Sequence, residues 1–304
     1  MFWCKYNNNK NIEGIIDKVN PIINTNKDNE KYKVFYENDY NIIYEFLFNN
    51  YPIVYTKDYI KNFIEIDKNF FLKLLSNNEL VGVISGEFVT LNIGYCYIIN
   101  HLCIKNDKRH ENLCTYIIEE ITKKIYENGV LFAIFSIEDN NINKKLINYI
   151  KPISIKLNYI CKEVKKKKYK IELLQNPNNN DKINIYNKYQ NTCKNYDIYY
   201  KFCNYDEFFN FFKNDILLYD KEYNFVFLKE NYINNIKRYF ISCYYISENN
   251  KTFVNKIMNQ LKCDILHLND IYIKNKSLKL VDSCMYYYIY NYNINESKDN
   301  IYIT

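Results

Sequence analysis

Two strand patterns, a basic turn, an amphipathic helix and a short apolar run follow one another within residues 79–137. The pattern predicts strands over residues 79–91 and 95–104, and a glycine between them favours a hairpin. Residues 113–128 carry apolar side chains three and four positions apart, which is typical of a helix that buries one face. The apolar run at residues 130–137 then predicts a buried strand. This order of elements indicates a compact α/β unit with a mixed sheet.

The same order of elements returns more weakly in the second half of the chain. Polar segments at residues 165–168 and 175–182 separate the two halves, so we predict an α/β (α+β) fold with halves at residues 1–160 and 161–304. The predicted helices cover residues 38–50, 59–75, 113–128, 205–212 and 252–261, and the predicted strands cover residues 79–91, 95–104, 130–137, 224–228, 238–246, 263–268 and 284–292.

Two smaller features add to this organisation. Residues 1–32 are polar after Phe2 and Trp3, and we expect them to form an arm that needs a pocket for the two aromatic rings. Gly82 and Gly86 lie inside the first strand pattern, where glycine predicts a bulge or the close approach of a neighbouring group.

Composition excludes several classes of protein. With 304 residues, of which 48% are apolar and 25% charged, the chain is neither disordered nor fibrous. The net charge of +6 is small for a duplex-binding protein, and the interleaved Tyr and Lys that could suggest RNA binding follow from an AT-rich coding sequence, so no nucleic-acid partner is expected. Ten cysteines without CxxC spacing and three histidines without an HxxxH pair predict free thiols and no metal. No segment reaches about 18 consecutive apolar residues, so we expect a soluble, cytoplasmic protein without stable membrane insertion.

The basic turn before the helix is the strongest candidate for a binding site. Lys105, Lys108 and Arg109 follow the second strand, and the helix begins near Asn112. Unpaired amides and the helix dipole attract anions to such an N-terminus, for example a pyrophosphate. A solvated turn without a ligand has the same pattern, so the residues alone leave both interpretations open.

The segment at residues 100–124 resembles the signature of N-myristoyltransferases (glycylpeptide N-tetradecanoyltransferases). That signature is Asn-Phe-Leu-Cys-Val, a basic turn with Arg-x-x-Arg-Leu, and a helix that ends in Glu-Ile-Thr and two basic residues. The positions that stand in register here are Asn100, Leu102, Cys103, Arg109, Leu113 and residues 120–124. Further pieces occur in the family's order, namely Phe2-Trp3, LVGVISG at 80–86, HLND at 267–270 and YYIYNY at 287–292.

The resemblance implies two tandem acyl-CoA N-acyltransferase (GNAT-like) halves that form one continuous mixed sheet flanked by helices. It implies transfer of a myristoyl group from myristoyl-CoA to the N-terminal glycine of proteins, by direct attack of the amine on the thioester. The N-terminal half would bind the acyl-CoA, and the C-terminal half would bind the peptide and supply the C-terminal carboxylate. We expect a monomer that acts on glycine-initiated proteins or peptides. A short form of this kind would suit a large DNA virus and hence the cytoplasm of its host.

The resemblance also assigns site residues position by position. The backbone N–H groups of His101 and Leu102 would form an oxyanion hole, the carboxylate of Thr304 would act as the base, and Asn100 and Ser136 would hold the amine. The residues predicted to bind the acyl-CoA are Phe2, Trp3, His101, Leu102, Cys103, Ile104, Lys105, Arg109, His110, Asn112, Leu113 and Cys114. The residues predicted to bind the peptide are Tyr51, Asn100, Ser136 and Asp270.

Some positions depart from the family pattern. Glu111 and Asn112 stand where basic residues are usual, and residues 52–54 replace an acidic loop, so we expect weaker CoA binding and a less basic peptide. Three alternatives stay open: another acyl chain or a lysine acceptor, a catalytically silent relative that binds acyl-CoA or an acylated peptide, and general-base catalysis by the His101 imidazole. Cys103 lies inside a strand and is expected to be a buried structural thiol rather than a nucleophile.

Overall fold

The chain divides into two compact units, which a computed structural model describes over most of their length. The first unit comprises Met1–Ile153 and Tyr287–Ser297, and the second comprises Ser154–Tyr286 and Lys298–Thr304. The described residues are 31–137, 150–162, 173–233, 236–247, 252–261, 265–269, 278–292 and 301–302. Among them, no helix has the length and apolar character needed to cross a membrane.

The first unit is a mixed sheet with helices. Its elements are β1 (Tyr32–Glu37), α1 (Tyr40–Asn50), α2 (Lys57–Glu65), β2 (Phe70–Ser76), β3 (Glu79–Leu91), β4 (Gly94–Ile104), a short 3₁₀ turn (Asn106–Lys108), α3 (Leu113–Glu127) and β5 (Ala133–Ile137). The strands lie in the order β1-β2-β3-β4-β5. Neighbours are antiparallel except β4 and β5, which are parallel. The predicted hairpin, helix and final strand of this unit are therefore confirmed.

Opposite faces of this sheet bury different helices. Leu113, Ile117, Ile121 and Ile125 form the buried side of α3, at the spacing that places them on one helical face. They join a core cluster with side chains of β2, β3 and β4, whereas Phe71 belongs to a second cluster with α1 and α2. The sheet is thus covered on both sides.

The prediction of one helix over residues 59–75 is wrong in its second part. Helix α2 ends at Glu65, and Phe70–Ser76 forms strand β2 between β1 and β3. Leu72 and Leu74 face the cluster with α3, whereas Phe71 faces the cluster with α1 and α2. Since both faces are buried, the strand is apolar almost throughout, and a continuous apolar run does not distinguish a strand from a buried helix.

Gly86 accounts for the close approach predicted in β3. A Cβ atom there would lie 2.9 Å from the Phe70 ring and 3.1 Å from Tyr97, both in the core cluster. We expect Gly86→Ala to lower the free energy of unfolding by about 1–3 kcal/mol, because packed rings must move. Urea denaturation measures this loss. Gly82→Ala is the matched control, because its Cβ would meet the flexible end of Ile104, so a larger loss at Gly82 would contradict the prediction.

The second unit repeats this construction. Its elements are β6 (Ile150–Lys162), α4 (Asn179–Cys193), β7 (Ile198–Tyr199), α5 (Tyr205–Phe211), β8 (Ile216–Tyr219), β9 (Phe225–Ile233), β10 (Ile236–Tyr245), α6 (Phe253–Leu261), β11 (Ile265–Asn269), β12 (Leu278–Tyr290) and β13 (Ile301–Tyr302). The first residues of β6, up to Ile153, and the last residues of β12, from Tyr287, belong to the first unit. Strands β6, β11, β10, β9 and β8 are neighbours in that order, and only β10 and β11 are parallel among the described pairs of this set.

Both units therefore contain the same sequence of elements. An antiparallel hairpin, a helix and a parallel strand occur as β3-β4-α3-β5 in the first unit and as β9-β10-α6-β11 in the second. The buried side of α6 packs on β9, β10 and β11, as α3 packs on its own sheet. These observations confirm the mixed α/β class.

Helix α4 was not predicted, because its sequence is mostly polar and starts in the segment interpreted as a boundary.

The end of β12 belongs to the first unit. The Tyr288 ring stacks on Phe135 of β5 at 5.6 Å, and the Asn291 side-chain amide donates to the carbonyl of Leu131 at 2.9 Å. Asn291 has a φ of 61°, a conformation that Asn tolerates better than most residues. The segment YYIYNY thus packs beside β5, which carries Ser136.

Candidate active site

A β-bulge interrupts the pairing of β3 and β4. Ser85 pairs with Asn100 and Val83 pairs with Cys103, so one residue of β3 faces two residues of β4, His101 and Leu102. His101 adopts a φ of 55°. A bulge bends its strand and changes the directions of the local N–H groups, because one residue is extra to the ladder. The two residues predicted to supply the oxyanion hole are the two that form the bulge.

The imidazole of His101 is a packed, hydrogen-bonded side chain. It is 4% exposed, and its Nδ1 lies 2.7 Å from the Ser85 hydroxyl. Its Nε2 lies 3.4 Å from the Tyr59 hydroxyl. The aromatic rings around it, at centroid distances of 4.9 to 5.8 Å, are those of Tyr55, Tyr59, Phe63 and Phe71. This setting favours a structural role for the ring.

Asn100 and Ser136 occupy corresponding positions on β4 and β5. The described parallel pairing of these strands ends at Ile99 and Phe135, and the next residue on each strand is Asn100 or Ser136. Both side chains are half-buried. The Asn100 amide lies 3.5 Å from a carboxylate oxygen of Glu87 on β3. Two polar groups suited to hold an amine are therefore at the same end of the β4-β5 pair.

The cations of the basic turn bind nearby acids and carbonyls. Lys105 pairs with Glu79, and Lys108 donates to Glu111 at 3.0 Å. The hydrogen bond from Lys108 holds the pKa of Glu111 below its usual range. Arg109 is exposed and donates from Nε and Nη2 to the carbonyls of Ile104 and Asn50, at 3.3 and 3.1 Å. Exposed ion pairs are weak, so a phosphate can replace these acids as the partner of the lysines.

Helix α3 begins beside this turn without a side-chain cap. Asn112 precedes the helix with a φ of 57° and makes no side-chain hydrogen bond to the first turn. Leu113 is buried, which anchors the helix start, while His110 and Cys114 are exposed. The first amides of a helix need partners, and the helix dipole favours an anion there. The turn and the helix start therefore combine as a suitable phosphate site.

Removal of Glu111 is expected to strengthen the binding of an acyl-CoA. In Glu111→Gln, Lys108 and Lys31 lose a competing carboxylate, so we expect the Kd for myristoyl-CoA to fall about threefold to tenfold at low salt. Calorimetric titration measures the Kd. Glu65→Gln is the control, since Glu65 is an exposed partner of Lys61 on α2. An equal change in both variants, or an unchanged Kd in Glu111→Gln, would contradict the role of the turn.

Tyr51 connects the end of α1 to the same region. Its N–H closes the helix by donating to Leu47 at 2.8 Å, and its ring stacks on Tyr55, which in turn stacks on Tyr59. Burial raises the pKa of Tyr55 well above its ordinary value. Because Arg109 binds the carbonyl of Asn50, the predicted peptide contact Tyr51 and the predicted phosphate contact Arg109 lie at one end of α1.

Cys103 has the environment of a structural thiol. It is buried in the cluster with α1 and α2, and burial raises the pKa of its thiol to about 11, so the thiol is protonated at neutral pH. We expect Cys103→Ala to keep kcat within about threefold while lowering the melting temperature, because it removes packing but no nucleophile. Steady-state kinetics and thermal unfolding measure both effects. Loss of activity in a folded Cys103→Ala protein would indicate a covalent acyl-enzyme instead.

Several predicted residues lie outside the described part of the chain. They are Phe2, Trp3, Asp270 and Thr304. Within the described ranges, no group of three His, Cys, Asp or Glu side chains is placed to hold a metal, and the expectation of a metal-free site stays a prediction. The structure also adds Ser85, Tyr59 and Glu87 to the site; their proximity to His101 or Asn100 depends on strand register and helix packing, which no local pattern reveals.

Comparison with known proteins finds similarity to the same family over the first half of the chain. A family model described as "Myristoyl-CoA:protein N-myristoyltransferase, N-terminal domain" matches residues 7–145, a range that contains the bulge, the turn and the start of α3. The chain is also 29% identical to a protein of Amsacta moorei entomopoxvirus that is predicted to be a glycylpeptide N-tetradecanoyltransferase, over 99% of this chain and 97% of that one. Over residues 7–145 the chain is therefore similar to the N-myristoyltransferase family.

Solved structures agree with this similarity at the level of the fold. The N-myristoyltransferase of Saccharomyces cerevisiae, solved with bound myristoyl-CoA and inhibitors, has a TM-score of 0.70 at 13% identity, over 94% of this chain and 88% of that one. A GCN5-related glucosamine N-acetyltransferase region of a fungal enzyme has a TM-score of 0.55 at 6% identity, over 85% of this chain and 38% of that one. These similarities confirm the predicted GNAT-like fold class.

Proposed function

We propose that the protein transfers a myristoyl group from myristoyl-CoA to the N-terminal glycine amine of proteins. The bulge at His101 and Leu102 carries this proposal, because it lies on the same strand that leads into the basic turn and the uncapped start of α3. A thioester whose pyrophosphate binds at that turn can direct its carbonyl oxygen to the bulge. Backbone donors stabilise an oxyanion without regard to the side chain, so a histidine at this position does not prevent the reaction.

In the proposed reaction the amine attacks the thioester directly. The new C–N bond forms and the C–S bond breaks, the attacking nitrogen loses a proton as it becomes an amide, and CoA leaves as the thiol after it gains that proton. The N–H groups of His101 and Leu102 donate to the developing oxyanion, while Asn100 and Ser136 hold the amine by hydrogen bonds. The ammonium must first lose a proton, and the resemblance assigns that task to the carboxylate of Thr304; this assignment stays a prediction.

The phosphates are held by electrostatics. We propose that Arg109, Lys105 and the first amides of α3 bind the CoA pyrophosphate, with Lys108 released from Glu111 when the ligand binds.

The loop after Tyr51 has the uncharged residues Pro52, Ile53 and Val54, so the preferred peptide is less basic near its N-terminus than a peptide that needs an acidic loop. The first half of the chain then binds the acyl-CoA and the second half binds the peptide, in a monomer that acts in the cytoplasm.

Mass spectrometry of the products tests the proposal. The full chain is incubated with myristoyl-CoA or shorter acyl-CoAs and with matched peptides that begin with Gly or Ala and contain one lysine. Fragmentation locates the acyl group. We expect myristoyl on the N-terminal glycine and none on the Ala peptide or on lysine.

The other outcomes identify the alternatives. Acylation of lysine, or a preference for a shorter chain, would show a different acyltransferase. Thermal stabilisation by myristoyl-CoA without any product would indicate a silent binding relative. The absence of both thermal stabilisation and product would contradict the acyl-CoA site itself.

A further inference from the structure

Ser85 makes two hydrogen bonds to the start of the bulge. This residue of β3 is fully buried, and its hydroxyl donates to the carbonyl of Asn100 at 3.2 Å. The same oxygen lies 2.7 Å from Nδ1 of His101. One side chain therefore connects the main chain before the bulge to the side chain within it.

One arrangement of protons satisfies every member of this group. When the Ser85 hydroxyl donates its one proton to the carbonyl of Asn100, Nδ1 of His101 is the donor to the Ser85 oxygen. In the neutral ring Nε2 is then an acceptor, and the Tyr59 hydroxyl at 3.4 Å is its donor. This series of hydrogen bonds runs from Tyr59 through His101 and Ser85 to Asn100, and every donor and acceptor named here has a partner.

This series holds a residue in an unfavourable backbone conformation. A φ of 55° is uncommon for a residue with a Cβ, and surrounding contacts must compensate for it. For His101 those contacts are the Ser85 hydrogen bond and the packed rings of Tyr55 and Phe71. The rings restrict the position of the imidazole, but only a directional bond fixes its rotation, and the rotation is coupled to the backbone of the bulge.

We propose that Ser85 is a positioning residue: by binding the Asn100 carbonyl and the His101 imidazole together, it fixes the directions in which the N–H groups of His101 and Leu102 point. The catalytic consequence rests on the proposed function, because those N–H groups are the proposed oxyanion donors. The structural consequence, a rigid bulge, does not depend on it.

Ser85→Ala tests the proposal in kinetics. Alanine fits the space of serine, so the fold is retained while both hydrogen bonds are lost. We expect kcat for myristoyl transfer to fall about tenfold while KM for myristoyl-CoA stays within about twofold, since the donors are misdirected only in the transition state. Ser242→Ala is the control: Ser242 is also a buried strand serine, but it lies in the second unit, where its hydroxyl donates to the carboxylate of Asp215 and contacts the carbonyl of Phe227. The kcat of this variant is expected to stay unchanged.

A second background separates positioning from general destabilisation. His101→Phe fills the aromatic surroundings but removes the imidazole, so the addition of Ser85→Ala to it is expected to change kcat by less than about threefold. A tenfold loss in both backgrounds would show that the two residues act independently and would overturn the proposal. An unchanged kcat in Ser85→Ala, or an equal loss in Ser242→Ala, would also overturn it.

Hydrogen exchange makes the test independent of catalysis. The amides of residues 101 and 102 are expected to exchange about tenfold faster in Ser85→Ala than in the unchanged protein, with no such difference in Ser242→Ala. If the unchanged protein transfers no acyl group but this acceleration is observed, the proposed function fails and the positioning of the bulge stands. Equal exchange rates would overturn the positioning role whatever the activity.

Discussion

Replacement of the Leu102 backbone amide by an ester is expected to lower kcat for myristoyl transfer by about 10²–10³-fold. Incorporation of the hydroxy acid analogue of leucine removes this N–H group and keeps the side chain, so the loss reports the hydrogen bond to the oxyanion rather than a change in packing. A donor of this kind contributes about that factor in other acyl-transfer sites. Because the bond strengthens only as charge develops, KM for myristoyl-CoA is expected to change little.

An ester elsewhere in the same hairpin provides the control. Val89 is buried on β3 and lies opposite Cys96 of β4, so an ester there also alters a strand amide but is remote from the bulge. We expect lower stability and an unchanged kcat for that variant. Single-turnover rates, measured with bound myristoyl-CoA and a glycine peptide, compare the two proteins. A kcat reduced equally in both would mean that the bulge has no specific role.

Arg109→Gln is expected to raise the Kd for myristoyl-CoA about tenfold to a hundredfold. A charge-assisted hydrogen bond to a phosphate contributes more than a neutral one, and glutamine retains some donor ability without the charge. Part of the expected loss of affinity has a structural cause, because the Arg109 side chain also joins the turn to the carbonyl of Asn50 at the end of α1. Calorimetric titration at two salt concentrations separates these parts, because only the loss of charge reduces the salt dependence of binding.

Lys61→Gln serves as the control for a change in net charge. Lys61 is exposed on α2 and pairs with Glu65 at 3.8 Å, away from the turn. We expect its Kd to equal that of the unchanged protein. If Arg109→Gln binds myristoyl-CoA as tightly as Lys61→Gln does, the turn is not the phosphate site and the acyl-CoA must bind elsewhere.

Local sequence patterns predicted the helices and strands correctly where the structure depends mainly on neighbouring residues. The strand predicted over residues 79–91 has those ends in the structure, and the helix predicted from Leu113 begins there, because alternation, helical spacing and glycine positions act over a few residues. The family motif was also readable, since it is a contiguous segment. The strand β2 was not, because an apolar run buried on both faces has no period that separates it from a buried helix.

Within the site, the residue types and their order can be read directly from the chain: an Asn before the bulge, a basic turn, and a helix start without an acidic first turn. The contacts of these residues are visible only in the folded protein: His101 and Leu102 face one residue of β3, and Ser85 binds His101. Glu79 and Glu111 pair with the lysines of the turn. Strand register places residues 16 positions apart in contact, and an ion pair depends on which side chains the fold brings within reach. Such contacts follow from the burial of the whole sheet, not from any short stretch of the chain.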